Sequence, residues 1–190
     1  MRIKTVLATL VAATTLTVLT ACSGSDDASA SFNDADVTFA QDMIPHHRQA
    51  TEMAGLAAER TENADVLTLA EQITAAQGPE IDMMSGWLKS WDKKVPSDGD
   101  GMEGMDHGSS SSSDMPGMMS DDEMAALEDA SGSEFDRQFL TMMTAHHEGA
   151  IEMAKTEEAD GKYAKAVALA KEIQKDQAAE ISTMESLLQS

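Results

Sequence analysis

FAQDMIPHHRQATEMA, residues 39–54, returns one hundred positions later as FLTMMTAHHEGAIEMA, residues 139–154. Carried without a gap from Asp36 to Leu88, the comparison leaves 18 of 53 positions identical. Among them are Phe39/Phe139, Met43/Met143, His46/His146, His47/His147, Ala50/Ala150, Glu52/Glu152 and Met53/Met153. Further along come Ile73/Ile173, Gln77/Gln177, Glu80/Glu180, Ile81/Ile181, Met84/Met184 and Leu88/Leu188. The chain therefore holds two copies of one supersecondary unit.

Each copy reads as two helices. Phe39, Met43, His46, Ala50, Met53 and Ala57 follow one another at steps of three and four, which traces a single stripe along an α-helix. Val66, Ala70, Ile73, Gln77, Glu80, Met84 and Trp87 trace the next. The polar stretch Arg60 to Asn63 separates them, and Asp160-Gly161 marks the corresponding turn of the second copy. Asp34 or Asp36 is the expected cap of the first helix, and Ser131 with Glu134, or Ser133 with Asp136, that of the third. A lone αα-hairpin cannot bury its stripe, so the two hairpins, 34–92 and 123–190, are expected to form one all-α domain, a four-helix bundle with pseudo-twofold symmetry.

Composition fits this architecture. Hydrophobic residues make up 42% of the 190 and aromatics only 4%, so the core must come from aliphatic side chains and methionine, of which there are 15. The formal charge of −21 argues against nucleic acid as a partner, because phosphates are held by clustered cations.

At the N-terminus, Arg2 and Lys4 precede an apolar run from Val6 to Leu19, the length of a secretory signal rather than a membrane span. It ends in Leu19-Thr20-Ala21-Cys22, similar to the lipobox of bacterial lipoproteins, and Cys22 is the single cysteine. Residues 1–21 are thus expected to be removed, Cys22 to carry lipid, and 22–33 to form a tether that holds the protein outside the cytoplasm on the membrane. Between the copies, residues 93–122 carry the run Ser109 to Ser113 and no apolar period, which predicts a disordered connector. That connector nonetheless holds Met102, Met105, His107, Met115, Met118 and Met119, and packing does not explain thioethers in a linker.

The stripes carry polar residues where a bundle should be dry. His46 lies on the stripe and His47 flanks it, about 100° round the helix. Met43 precedes both by about one turn and shares their face. With the hairpin turn centred near residue 62, antiparallel geometry puts position 46 level with 78, at the height of Gln77 and Glu80; the second copy repeats this with His146, Gln177 and Glu180. Pro45 and Pro79 are level as well, so both helices are expected to bend there, whereas the second copy has Ala145 and Ala179. Two otherwise equivalent sites should then be unequal.

Buried polar groups cost free energy unless paired, and two chemistries account for this layer. One is a closed hydrogen-bond network that fixes helix register. The other is a metal site, in which imidazole nitrogen with thioether sulfur selects copper: the sulfur is a soft donor suited to Cu(I), and zinc seldom uses it. The Met-rich connector favours the second. Such a site needs neutral imidazole, so copper affinity is expected to weaken below a pH of about 6.5.

The doubled pattern F-x3-M-x2-HH-x2-A-x-EMA resembles the domain of unknown function 305 family, secreted bacterial proteins with a ferritin-like four-helix fold. The likeness covers residues 34–190 and implies copper binding through Met and His. Carried over by position, the ligand set is Met43, His46, His47 and Met53 with Met143, His146, His147 and Met153, and the connector residues are auxiliary. A ferritin-like fold also raises a metal-oxidising enzyme, but di-iron bundles need a Glu three residues before each ligating His, and Met43 and Met143 stand before His46 and His146. The expected function is accordingly a non-enzymatic, lipid-anchored copper protein that buffers or sequesters the ion; the alternatives are a helical interaction module with a purely structural His/Gln/Glu layer, or that oxidase.

Overall fold

The computed structural model describes residues 31–97 and 115–189, which form five helices and no strand. They are α1 (Asp34–Arg60), α2 (Ala64–Ser90), α3 (Asp121–Asp129), α4 (Ser133–Asp160) and α5 (Ala164–Leu188). The signal segment, Cys22, the tether to residue 30 and the connector residues Met102, Met105 and His107 lie outside the described residues.

α1 with α2 and α4 with α5 make the two hairpins, each turned by three residues. α1 and α4 form the main seam between them, and the ends of these helices show that they run antiparallel. The start of α1 meets the α4–α5 turn, where the Lys162 and Tyr163 N–H groups donate to Asp36 Oδ1 at 3.0 and 2.8 Å and Asn33 Nδ2 donates to the Asp160 carbonyl at 2.8 Å. At the opposite end, the Gly132 N–H donates to the Arg60 carbonyl at 2.7 Å and Asn63 Nδ2 to Asp136 Oδ2 at 3.0 Å. Each hairpin thus caps the other, and the all-helical bundle follows from the repeat.

The caps differ from the sequence expectation. Asn33, not Asp34 or Asp36, caps α1, and Asp36 closes the capping box as its N3 residue. α4 starts after Gly132 at φ +58, with no side-chain cap from Ser131 or Ser133. Its start is held instead by the Gly132 N–H on the Arg60 carbonyl, and the short helix α3, capped by the Ser120/Glu123 box, precedes it. Pro45 and Pro79 sit inside α1 and α2, which continue through them over 27 residues each.

Two apolar clusters fill the bundle, one on each side of the histidines. One gathers Met53, Ala57, Val66, Ile73, Phe135, Phe139, Met143 and Met184, with Leu127 of α3 and Met119. The other gathers Phe39, Met43, Met84, Trp87, Leu88, Ala154, Tyr163, Leu169 and Ile173. Under the repeat, Met43, Met84 and Trp87 correspond to Met143, Met184 and Leu187, so the clusters are pseudo-symmetric images. An aromatic cap closes the second: Phe32 stacks on Trp91 at 4.6 Å, and Tyr163 meets Trp87 and Trp91 edge-on at 5.4 and 5.2 Å.

Candidate metal centre

Halfway along the α1–α4 seam, His46 and His146 face each other with ring centroids 3.8 Å apart. They and their neighbours His47 and His147 are all at 0% exposure. Sequence spacing placed His47 at the flank of the stripe; instead it is as buried as His46, because α2 closes over it. The carboxylates confirm this geometry: His47 Nε2 lies 2.6 Å from Glu80 Oε2, and His147 Nε2 lies 2.6 Å from Glu180 Oε2. Height alone put Gln77 and Glu80 level with His46; the carboxylate pairs with the neighbouring residue, His47.

Tautomers follow from the partners. A carbonyl only accepts, so His46 Nε2, 3.0 Å from the Pro116 carbonyl, must carry the proton. Its Nδ1 then bears a bare lone pair, buried and without a partner among the described residues. In the same way Nε2–H of His47 and of His147 donates to a carboxylate, and the Nδ1 of each is buried and unpartnered. Neither nitrogen of His146 makes a well-formed hydrogen bond, although the His46 backbone lies against its ring. Gln77 and Gln177 lie in the layer but leave side-chain atoms unpaired too, so the His/Gln/Glu layer is not a closed network. An imidazole whose outer N–H is anchored on a carboxylate or carbonyl while the other nitrogen stands free is the arrangement of a metal-ligating histidine.

Burial, reinforced by the neighbouring imidazoles, pushes His46 down to about 3, and burial likewise lowers His146 well below its ordinary value. Both rings therefore stay neutral well below the ordinary imidazole range, so protonation of these two does not begin at the pH of about 6.5 set by an exposed imidazole.

Methionine flanks the layer from both sides, regrouped across the copies. Met43, fully buried, packs with Met84 on one side, and half-buried Met153 of the second copy joins them. Met53 joins Met143, Met184 and Met119 on the other, where the Thr144 hydroxyl lies 3.8 Å from Met184 Sδ. The first-copy set of Met43 and Met53 is thus divided between two clusters. Met115 and Met118 are half-buried. Among the described residues no three His, Cys, Asp or Glu side chains form a ready-made cage. Few nitrogen donors supplemented by sulfur suit a soft ion of low coordination number, and they do not suit a hard cation that needs an oxygen shell.

Sequence reasoning named connector methionines as auxiliary but missed that the connector's end is ordered and brings the Pro116 carbonyl to His46. Residues 115–120, expected to be disordered, cross over α1 and α4: Gln49 pairs with both the N–H and the carbonyl of Met119 at 2.8 Å, and Met119 is buried. The Pro116-Gly117 dipeptide is a turn signal that was there to be read. Also missed was Glu157, at 1% exposure, which burial and then the hydrogen bond and charge of the adjacent Asp36 carboxyl raise to about 8.

The family described as "Domain of unknown function (DUF305)" matches residues 36–188. Among solved structures, a candidate secreted DUF305 protein from Streptomyces coelicolor is similar at 36% identity over 81% of this chain and 91% of that one, with a TM-score of 0.71. A DUF305 fragment from Deinococcus radiodurans is similar at 30% identity over 82% and 96%, with a TM-score of 0.71. CopM in its Cu(I)-bound form is similar at 28% identity over 81% and 95%, with a TM-score of 0.65, and CopM is also known in Cu(II)-bound and Ag-bound forms. No curated protein gives a significant match. With the match spanning both repeats and the whole histidine layer, the chain belongs to the DUF305 family.

Proposed function

We propose that this is a copper-binding protein that buffers or sequesters the ion outside the cytoplasm, without catalysis, from a lipid anchor on Cys22. The observation that carries the reading is the set of buried Nδ1 atoms on His46, His47 and His147, each unpartnered while its Nε2–H is anchored on an acceptor. Leaving such atoms unpaired in an apolar interior is costly in a protein with no ligand to satisfy them. The thioethers on either side make the donor set soft, and the copper-bound forms of CopM, a structural relative, support the same ion. The histidines anchor copper in either oxidation state; Met43 and Met84, or Met143 and Met184, favour the cuprous form.

Titrating Cu(I) and Cu(II) into the protein beginning after Cys22, with zinc and cobalt as controls, tests this. Expected is retention of copper in preference to both controls, and its loss from the bundle when His46, His47, His146 and His147 are all replaced by Ala. Unchanged affinity in that variant would overturn the assignment. For the anchor, Cys22→Ser should move the protein from the membrane to the soluble fraction.

One observation favours a second reading, a purely structural layer: the His47–Glu80 and His147–Glu180 pairs already satisfy one nitrogen of each ring. On that reading the purified protein retains no metal and its stability is unmoved by copper.

A further inference from the structure

The two halves of the layer share His, Gln, Glu and Met, yet they differ where residues 115–120 cross them. At position 49 of the first copy stands a glutamine, and its amide pairs with both polar groups of Met119, donating to the carbonyl and accepting from the N–H at 2.8 Å. At the equivalent position 149 stands a buried glycine, and a Cβ there would collide with the Pro116 carbonyl group. One copy clasps the crossing segment and the other is hollowed to receive it. Gly117 completes the fit: it adopts φ +77, and a Cβ on it would lie 2.6 Å from the Ala145 carbonyl oxygen. The product of these contacts is a single carbonyl, Pro116 O, delivered 3.0 Å from His46 Nε2 and to no other histidine.

We propose that residues 116–119 are a positioning arm of the histidine site: the Pro116 carbonyl fixes His46 as its Nε2–H tautomer and so presents Nδ1 to the ion, and Gln49 and Gly149 are the residues that seat the arm. The proposal rests on the copper reading given above for what the Nδ1 lone pair is for, and on geometry alone for the tautomer. A neutral imidazole has one lone pair, and the hydrogen bond at the other nitrogen decides where it is. Glu80 and Glu180 do this for His47 and His147 from within their own hairpins. His46 depends on a segment outside the repeat, and His146 has no such partner. The two central rings are therefore unequal: His46 is a preset donor, whereas His146 has no partner from outside the repeat and only the His46 backbone beside it.

The test compares the mature protein with its Gly149→Ala and Gln49→Ala variants. Two-bond nitrogen–proton NMR of the metal-free histidine rings reads the tautomer directly. Expected is an Nε2–H signature for His46 in the wild type and a mixture of tautomers in both variants, with helix content by circular dichroism preserved. Cu(I) affinity, read by competition with a chromogenic chelator, should fall by roughly 10–100-fold in the variants, the loss typical of removing an outer partner of a ligating histidine. Should Gly149→Ala lose its helix signal, Gln49→Ala, which adds no atoms, decides alone. The proposal is overturned if His46 keeps the Nε2–H form in the variants, or if the tautomer is released and affinity does not change. Failure of the copper reading shows differently: the wild type itself binds no Cu(I), while the metal-free NMR comparison is untouched.

Discussion

At the scale of single residues, the histidine layer owes its chemistry to which nitrogen of each ring is tied down. Glu80 and Glu180 hold Nε2–H of His47 and His147 at 2.6 Å, and each is about one-fifth exposed, so each joins a buried ring to water. Replacing either with Gln keeps an acceptor but removes the charge that holds the Nε2–H in place. Copper affinity should fall by roughly 10-fold or more in Glu80→Gln and in Glu180→Gln, with little change in melting temperature, as competition titration and calorimetry would show. The identity of these residues was legible because they stand polar on apolar stripes in both copies. Their partnership was not: counting along antiparallel helices gives height, not azimuth, and so cannot say that Glu80 meets His47 rather than His46 one residue away, about 100° round the helix. The same limit regrouped the methionines, since a stripe shows that Met43 and Met53 share a face but not that the histidine layer parts them.

Among elements, the ends of the helices decide how the hairpins lock. Asp36 accepts from its own N-cap residue, Asn33 N–H at 2.6 Å, and from the Lys162 and Tyr163 N–H groups that close the α4–α5 turn. The Glu157 carboxyl beside it is raised to about 8 by burial and then by Asp36 itself. A carboxyl raised in the folded state keeps its proton while the unfolded chain gives its proton up, so stability is lost as pH rises from about 4.5 through 8. Glu157→Gln should therefore stabilise the protein at pH 8, on the order of 2 kcal/mol, with the gain vanishing below pH 4.5; urea unfolding at both pH values measures it. Asn33→Ala should cost about 1 kcal/mol in the same assay, because it removes the capping box and the bond to Asp160 together. α1, α2, α4 and α5 were legible from periodicity. α3 was hidden: it is nine residues long and buries only Leu127, although its S-x-x-E capping box at Ser120 to Glu123 was a readable start signal.

For the whole molecule, the apolar clusters are shared property. Each draws side chains from α1, α2, α4 and α5, so neither hairpin owns a complete core. Residues 31–97 and 115–189, made as separate peptides, should each lack a cooperative thermal transition, and mixing them in equal amounts should restore one; a sharp melt from either alone would contradict the shared core. The bundle could be read from the duplication, because two copies of a one-sided hairpin have one economical way to bury their stripes. The crossing of residues 115–120 could not, since its seat is a difference between the copies, Gln49 against Gly149, and comparison of repeats rewards what is kept. Among the described residues no helix is long and apolar enough to cross a membrane. The aromatic cap has an optical consequence. Trp87 and Trp91 both belong to the Met43 and Met84 end, and the opposite cluster has only phenylalanine rings. Emission from the two indoles is thus a one-ended lamp: a quenching ion lodged beside Met84 darkens it, an equal ion beside Met184 leaves it brighter, and a fluorescence trace reports which end of the duplicated fold fills first.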